Sequence, residues 1–302
     1  MRPARHSAAA TLPLPLSEAD LTRVQAVFTD VDGTLTVHDR LTSEVIAGLE
    51  RLAAAGVKVV LVTGRPGGFG ECWMRTLPVA GVIAENGGLY FTRDSKGRFK
   101  KRYARPEAKR KAERAKLVRA VAAAIRAVPG ARLSSDSAYT EVDLAIDYNE
   151  EVRLGQEAAG KLERFLTARG IQAVRSSVHV NCWIGNFDKR WMARRFLRDE
   201  WKLKLEERDA RFVYVGDSFN DAPMFEAFAL SIGVANVLDV IDRIPNPPSY
   251  VTEGREGQGF LEVVNVLTHP RRAKPPLPKT GEGRGEGARS LELLAPPVSR
   301  RP

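Results

Sequence analysis

The chain has 302 residues, 43% of them hydrophobic and 28% charged, with a formal net charge of +10. That balance fits an ordinary globular protein of about two domains and excludes collagen-like, wholly disordered and disulfide-stapled classes. No stretch reaches the ~18 apolar residues of a membrane helix, the two cysteines, Cys72 and Cys182, fit a reducing cytoplasm, and Pro13 and Pro15 break any leader-like run near the start.

Val24–Asp30 is short and apolar and predicts a buried strand. Thr42 caps a helix over about 42–55, with Val45, Leu49 and Leu52 on one face and Gly56 as its stop. A second strand, 57–63, a helix near 69–77 and a third strand, 82–85, follow. Strands alternating with helices predict an α/β fold, a parallel sheet with helices on both faces. After Asn86-Gly87-Gly88 the pattern changes. Leu89–Phe91 and Arg98–Tyr103 flank a turn and predict a hairpin. A long helix over about 107–128 buries Val118, Val121, Ile125 and Val128. Thr140–Tyr148 alternates, with Val142, Leu144 and Ile146 on one face and Glu141, Asp143 and Asp147 on a wet one. A helix (151–169) and strands at 171–175 and 177–184 complete an α+β insertion.

The parallel pattern resumes with a helix over 188–202, strand 212–216, helix 220–228, strand 230–234 and a last helix near 259–267. The expected organisation is an N-terminal tail (1–23), a core (24–89 and 181–268), an inserted domain (90–180) and a disordered tail (269–302). Charge is uneven: residues 93–119 carry thirteen Lys/Arg against three Asp/Glu, and 269–302 carry eight against three. Such a run is either a solvated helix face or an attractor of anionic substrate or nucleic acid. Only Phe99 and Tyr103 interrupt it, which leaves no stacking platform for single strands.

Four segments concentrate chemistry at strand ends, where open α/β sheets form their sites. The first, Phe28-Thr29-Asp30-Val31-Asp32-Gly33-Thr34, sets two carboxylates together that a strand would aim at one centre, unless they serve only as a cap or Asx turn. Thr63-Gly64-Arg65 offers a hydroxyl and amides to phosphate oxygens, or is simply a turn. Lys189 opens a helix. Gly216-Asp217-Ser218-Phe219-Asn220-Asp221 brings further acids. Asp30, a backbone carbonyl at Asp32 and Asp217 form a hard-oxygen set suited to Mg²⁺.

In order, and over nearly all of residues 24–268, these segments resemble the haloacid dehalogenase superfamily of aspartate-nucleophile phosphatases. The insertion after Glu85-Asn86-Gly87-Gly88 looks like that superfamily's type IIB cap, as in Cof-like, sucrose-phosphate and mannosyl-3-phosphoglycerate phosphatases. The resemblance implies Asp30 as nucleophile, Asp32 as general acid and base, and Thr63 and Lys189 as charge-balancing residues. Its metal set is Asp30, Asp32, Asp217 and Asp221, the last holding a metal water or orienting Lys189. The expected substrate-binding set is Thr63, Gly64, Arg65, Asn86, Lys189 and Asn220, with His179 and Asn181 from the insertion. The expected substrate is a small phosphorylated metabolite, a sugar phosphate, met in the cytoplasm by a monomer or homodimer, with no membrane and no nucleic acid as partner. Two alternatives stand: a phosphohexomutase, against which Thr63-Gly64-Arg65 argues, and a nucleic-acid-associated protein using residues 93–119.

Overall fold

The computed structural model describes residues 12–176 and 178–268. Its apolar runs pair into a sheet of nine strands, beginning with β1 (Leu14–Pro15), β2 (Ala26–Thr29), β3 (Lys58–Val62), β4 (Gly81–Ala84), β5 (Leu89–Arg93) and β6 (Phe99–Tyr103). A second sheet takes β7 (Arg132–Leu133), β8 (Leu144–Asp147), β9 (Gln172–Arg175) and β10 (His179–Trp183). The first resumes with β11 (Phe212–Gly216), β12 (Leu230–Gly233) and β13 (Tyr250–Val251). Its order is β1-β13-β12-β11-β2-β3-β4-β5-β6, parallel as far as β4 and antiparallel over the last two pairings.

Helices cover both faces, and strand alternation decides which. On β2, Val27 points to one cluster and Phe28 to the other. The Val27 side packs under α1 (Ser43–Ala54), with α2 (Gly67–Thr76) contributing Met74. The inserted part supplies α3 (Glu107–Ala127) and α4 (Gly155–Thr167). The Phe28 side packs under α5 (Lys189–Phe196) and α6 (Ala222–Ala227), and the chain's last described helix, α7 (Glu256–Thr268), joins α1. Phe28 alone, fully buried among Phe196, Trp201, Phe212 and Phe228, contributes roughly 1.5–3 kcal/mol by leaving water. No helix among the described residues is long and apolar enough to cross a membrane.

The smaller sheet, ordered β7-β8-β10-β9, lays Leu144, Ile146, Val180 and Cys182 against α3 and α4. Several sequence expectations need correcting here. The hairpin placed at the start of the insertion instead extends the large sheet, because Leu89, Tyr90 and Phe91 are apolar on both faces and buried on both. In and just after α3, Val121 and Val128 are buried as expected, but Leu117 takes the place expected for Val118, which is 48% exposed. The strand expected over 140–148 forms only at 144–147, and its wet face is buried: Asp143 and Asp147 are 2% and 1% exposed. Asp147 is stabilised there by the amides of Asn149, Glu150 and Glu151. Residues 14–23, assigned to a tail, are structured, since β1 pairs with β13 and Leu16, Ala19 and Leu21 are buried. Residues 1–11 and the tail expected over 269–302 lie outside the described residues.

Candidate active site

Parallel pairing of β2 with β3 and β11 aligns their carboxyl ends, and three of the four motifs sit there. Asp30 follows β2 directly, its amide donating to Val215 O at 2.9 Å. Gly33 then turns the chain with φ +72°; a Cβ on it would stand 2.5 Å from the Asp217 carboxylate, so only glycine lets the two strand ends approach. Lys189 arrives from the other direction as the first residue of α5. Asp188 caps that helix, accepting from Trp191 N at 2.6 Å. Gly87 permits the approach of this turn, since a Cβ there would lie 2.2 Å from Asp188 O.

The result is a buried knot of charge. Lys189 Nζ lies 3.2 Å from Asp30 Oδ1 and 2.9 Å from Asp221 Oδ1, and Asp30, Asp217 and Asp221 each offer an oxygen within 4.8 Å of the others. Burial, then Asp221, pushes the Asp30 carboxyl well above its usual range, with Lys189 opposing. Burial, then Asp221, also lifts Asp217 to about 7. Burial disfavours the Lys189 ammonium, but Asp221 and Asp30 outweigh it and hold it charged.

Asp221 is fully committed. Its Oδ1 accepts from Lys189 and, at 2.5 Å, from the Tyr214 hydroxyl; its Oδ2 accepts the Asp217 and Ser218 amides at 3.1 and 3.2 Å. Both oxygens are spent on protein donors, so it orients Lys189 and the turn. Asp217 is aimed by Thr34 Oγ1 at 2.9 Å and Asn236 Nδ2 at 3.1 Å. Tyr214, Thr34 and Asn236 are not among the site residues that the sequence predicts: Thr34 lies at the end of the first segment, and Asn236 carries no local signal.

Asp32 does not share Asp30's direction. Its carboxylate meets the Arg65 guanidinium, with Nε at 2.9 and 3.1 Å and Nη2 at 2.9 Å, and stands outside the acidic cluster. The strand ends at Thr29, so strand alternation no longer governs residue 32. Thr63 is buried, its Oγ1 accepting from Arg65 N at 2.9 Å, which leaves its own proton free to donate. Gly64 packs against the Asn86 side chain, and Asn86 Nδ2 donates to Asp143 at 3.0 Å, tying Asn86 to the insertion. Asn220 accepts from Ser218 Oγ at 2.6 Å.

The insertion is held to the sheet by a residue that the sequence reading did not single out. Glu85, fully buried, accepts the amides of Gly67 at 2.8 Å, Glu141 at 2.9 Å, Val142 at 2.6 Å and Asp143 at 3.0 Å. His179 and Asn181 lie on the smaller sheet's other face from Val180 and Cys182, each 8% exposed. His179 Nε2 is 2.8 Å from Glu150 Oε2. The Asn181 amide makes no side-chain hydrogen bond among the described residues. Asp136 lies 3.9 Å from Arg65, a further link between this module and the turn after β3.

Residues 27–115 match the haloacid dehalogenase-like hydrolase family. The chain is 29% identical to the phosphoglycolate phosphatase of Methanosarcina mazei over 249 residues, 81% of this chain and 97% of that one. Both matches, with the four strand-end segments, make this chain similar to the haloacid dehalogenase superfamily. It is a phosphoric monoester hydrolase in class, with an α/β core and an inserted α+β module. In structure it is similar to the C-terminal domain of trehalose-6-phosphate phosphatase from C. albicans, with a TM-score of 0.62 and 15% identity over 86% of this chain and 99% of that one. It is also similar to the subclass IIB sugar phosphatase BT4131, with a TM-score of 0.54 and 17% identity over 81% of this chain and 96% of that one.

Proposed function

We propose that this hydrolase removes the phosphoryl group from a small phosphorylated metabolite with Mg²⁺ as cofactor, and that its preferred substrates are sugar phosphates. One observation carries the reading: a buried lysine joins the carboxylate at the end of β2 to the acids after β11, the arrangement needed to hold a phosphoryl group beside a nucleophile.

The donor set fits a hard cation. Asp30 and Asp217 present only carboxylate oxygens, and burial together with the neighbouring Asp221 raises the pKa of both. Asp30, Asp217 and the Asp32 backbone carbonyl would hold the ion, which supplies charge to balance the phosphoryl oxygens. Asp30 attacks phosphorus, the bond to the leaving oxygen breaks, and an aspartyl phosphate forms on Asp30. Asp32 gives its proton to that oxygen, then takes one from the water that cleaves the acyl phosphate. Thr63 and Lys189 donate to the equatorial oxygens, where a loose transition state gathers charge. Arg65 forks onto the Asp32 carboxylate, so substrate must draw Arg65 aside before Asp32 can reach the leaving oxygen.

The cap module, which we place over residues 107–183, sets the substrate. Asp136, Glu150, His179 and Asn181 combine acceptors with few cations, a surface suited to sugar hydroxyls. The Methanosarcina relative favours a second reading, phosphoglycolate, whose carboxylate would take Arg65 from Asp136. A phosphate-release panel with and without Mg²⁺ separates them. Hexose phosphates should be turned over faster than 2-phosphoglycolate, and neither should react without the ion; the reverse order moves the assignment to phosphoglycolate.

Metal and pH are linked through Asp217. A carboxyl whose folded pKa is raised from 3.8 to about 7 stabilises the fold while protonated. That contribution is complete below the unfolded value and is lost as pH rises through the folded one. Thermal melts should therefore show Mg²⁺ raising Tm more at about pH 8 than at about pH 5. Equal shifts at both would contradict this assignment of the ion.

A further inference from the structure

A cavity of about 490 Å³ opens where the chain leaves the large sheet for the cap, and no residue of the catalytic centre lines it. Its size is that of a small-molecule site. Five cationic residues line it: Lys101 and Arg102 from β6, Arg105 from the linker, Arg110 from α3 and Arg195 from α5. Three are balanced, Lys101 by Glu141, Arg105 by Glu113 at 2.7 Å and Arg195 by Asp199 at 3.1 Å. The lining acid, Glu107, is taken by Lys111 at 2.7 Å. Arg102 and Arg110 form no ion pair among the described residues.

Two of the lining arginines also carry donors without a partner. The Nε atoms of Arg105 and Arg110 are buried with no hydrogen-bond partner, a costly condition for charged donors. Arg110 is held flat, its guanidinium carbon 3.4 Å from the centre of the Tyr103 ring. The 21-residue helix α3 begins at the cavity's edge behind Pro106, with no side chain capping its first amides, and so adds the positive end of its dipole.

We propose that this cavity binds a small polyanion carrying two or more phosphoryl groups. Neither Arg102 nor Arg110 forms a close ion pair, although Arg110 acts on Glu141 and Glu107 at longer range, and each guanidinium matches one phosphoryl group in forked geometry. A nucleic acid fits less well, because the one ring at the site, Tyr103, already carries Arg110 and offers no free face for base stacking. The walls come from both the large sheet and the helix α3, so an occupant would bridge the two.

Pyrophosphate is a suitable probe, titrated calorimetrically into the metal-stripped full chain with no divalent ion added. One site should be seen, weakening as salt rises. The double variant Arg102→Gln/Arg110→Gln should bind at least about tenfold more weakly. Arg102→Gln alone, at an exposed position, should also weaken binding while keeping wild-type turnover of p-nitrophenyl phosphate. Asp30→Asn should bind pyrophosphate as wild type does, which separates this site from the catalytic one. Absence of binding at millimolar pyrophosphate would overturn the proposal, as would equal affinity in the double variant. So would a short single-stranded RNA that binds here and is not displaced by pyrophosphate.

Discussion

Asp30→Asn should lower phosphate release by roughly 10⁴-fold or more, the scale of loss when a covalent nucleophile is removed. The amide keeps the shape but attacks phosphorus poorly, and no neighbour can replace it. Asp32 is held by Arg65 beyond the cluster, Asp221 has both oxygens spent on protein donors, and Asp217 is pinned by Thr34 and Asn236. The variant should remain folded. Replacing a carboxyl whose pKa is already pushed up with a neutral group relieves repulsion from Asp221 and Asp217, so its metal-free melting point should equal or exceed that of the wild type. A parallel assay of activity and melting checks both. Turnover near wild type in a preparation free of other phosphatases would remove Asp30 from the chemistry.

Lys189→Met should have the largest effect on stability. The lysine is 3% exposed and faces Asp30 and Asp221. Methionine fills much of the same volume and leaves those carboxylates without their cation. Removing one partner of a buried pair typically costs about 3–5 kcal/mol, because the remaining charge is stranded. The orphaned acids can escape the penalty by binding protons, so the loss should shrink as pH falls, and Mg²⁺ should restore part of it. Turnover should fall as well, since the equatorial oxygens lose a donor. Urea denaturation at two pH values, with and without Mg²⁺, measures this. A variant as stable as wild type near neutrality would mean that the acids are neutralised by other means.

Much of the site was legible because it lies at strand ends, where apolar runs stop abruptly at Asp30, Thr63 and Asp217. Lys189 was legible from its place after Asp188, which caps α5. What the sequence hid is direction and pairing. Asp32, two residues from Asp30, would point the same way on a strand; β2 stops first, and its side chain goes to Arg65. The burial of Asp143 and Asp147 was hidden because alternating polar residues usually mark water, whereas here backbone amides and Asn86 satisfy them. Glu85 was passed over because a buried carboxylate that collects four backbone amides from two segments has no local pattern. The Leu89–Tyr103 hairpin was found but misassigned, since a hairpin's sequence does not say which sheet its edge will join.

The most direct measurement is an acid quench during turnover of a good substrate with Mg²⁺, followed by mass spectrometry of the peptides. The scheme expects a phosphoryl group on the peptide carrying Asp30, absent from Asp30→Asn and discharged by water when substrate is exhausted. A phosphoryl group carried on a different residue, or steady turnover with none trapped at Asp30, would contradict it.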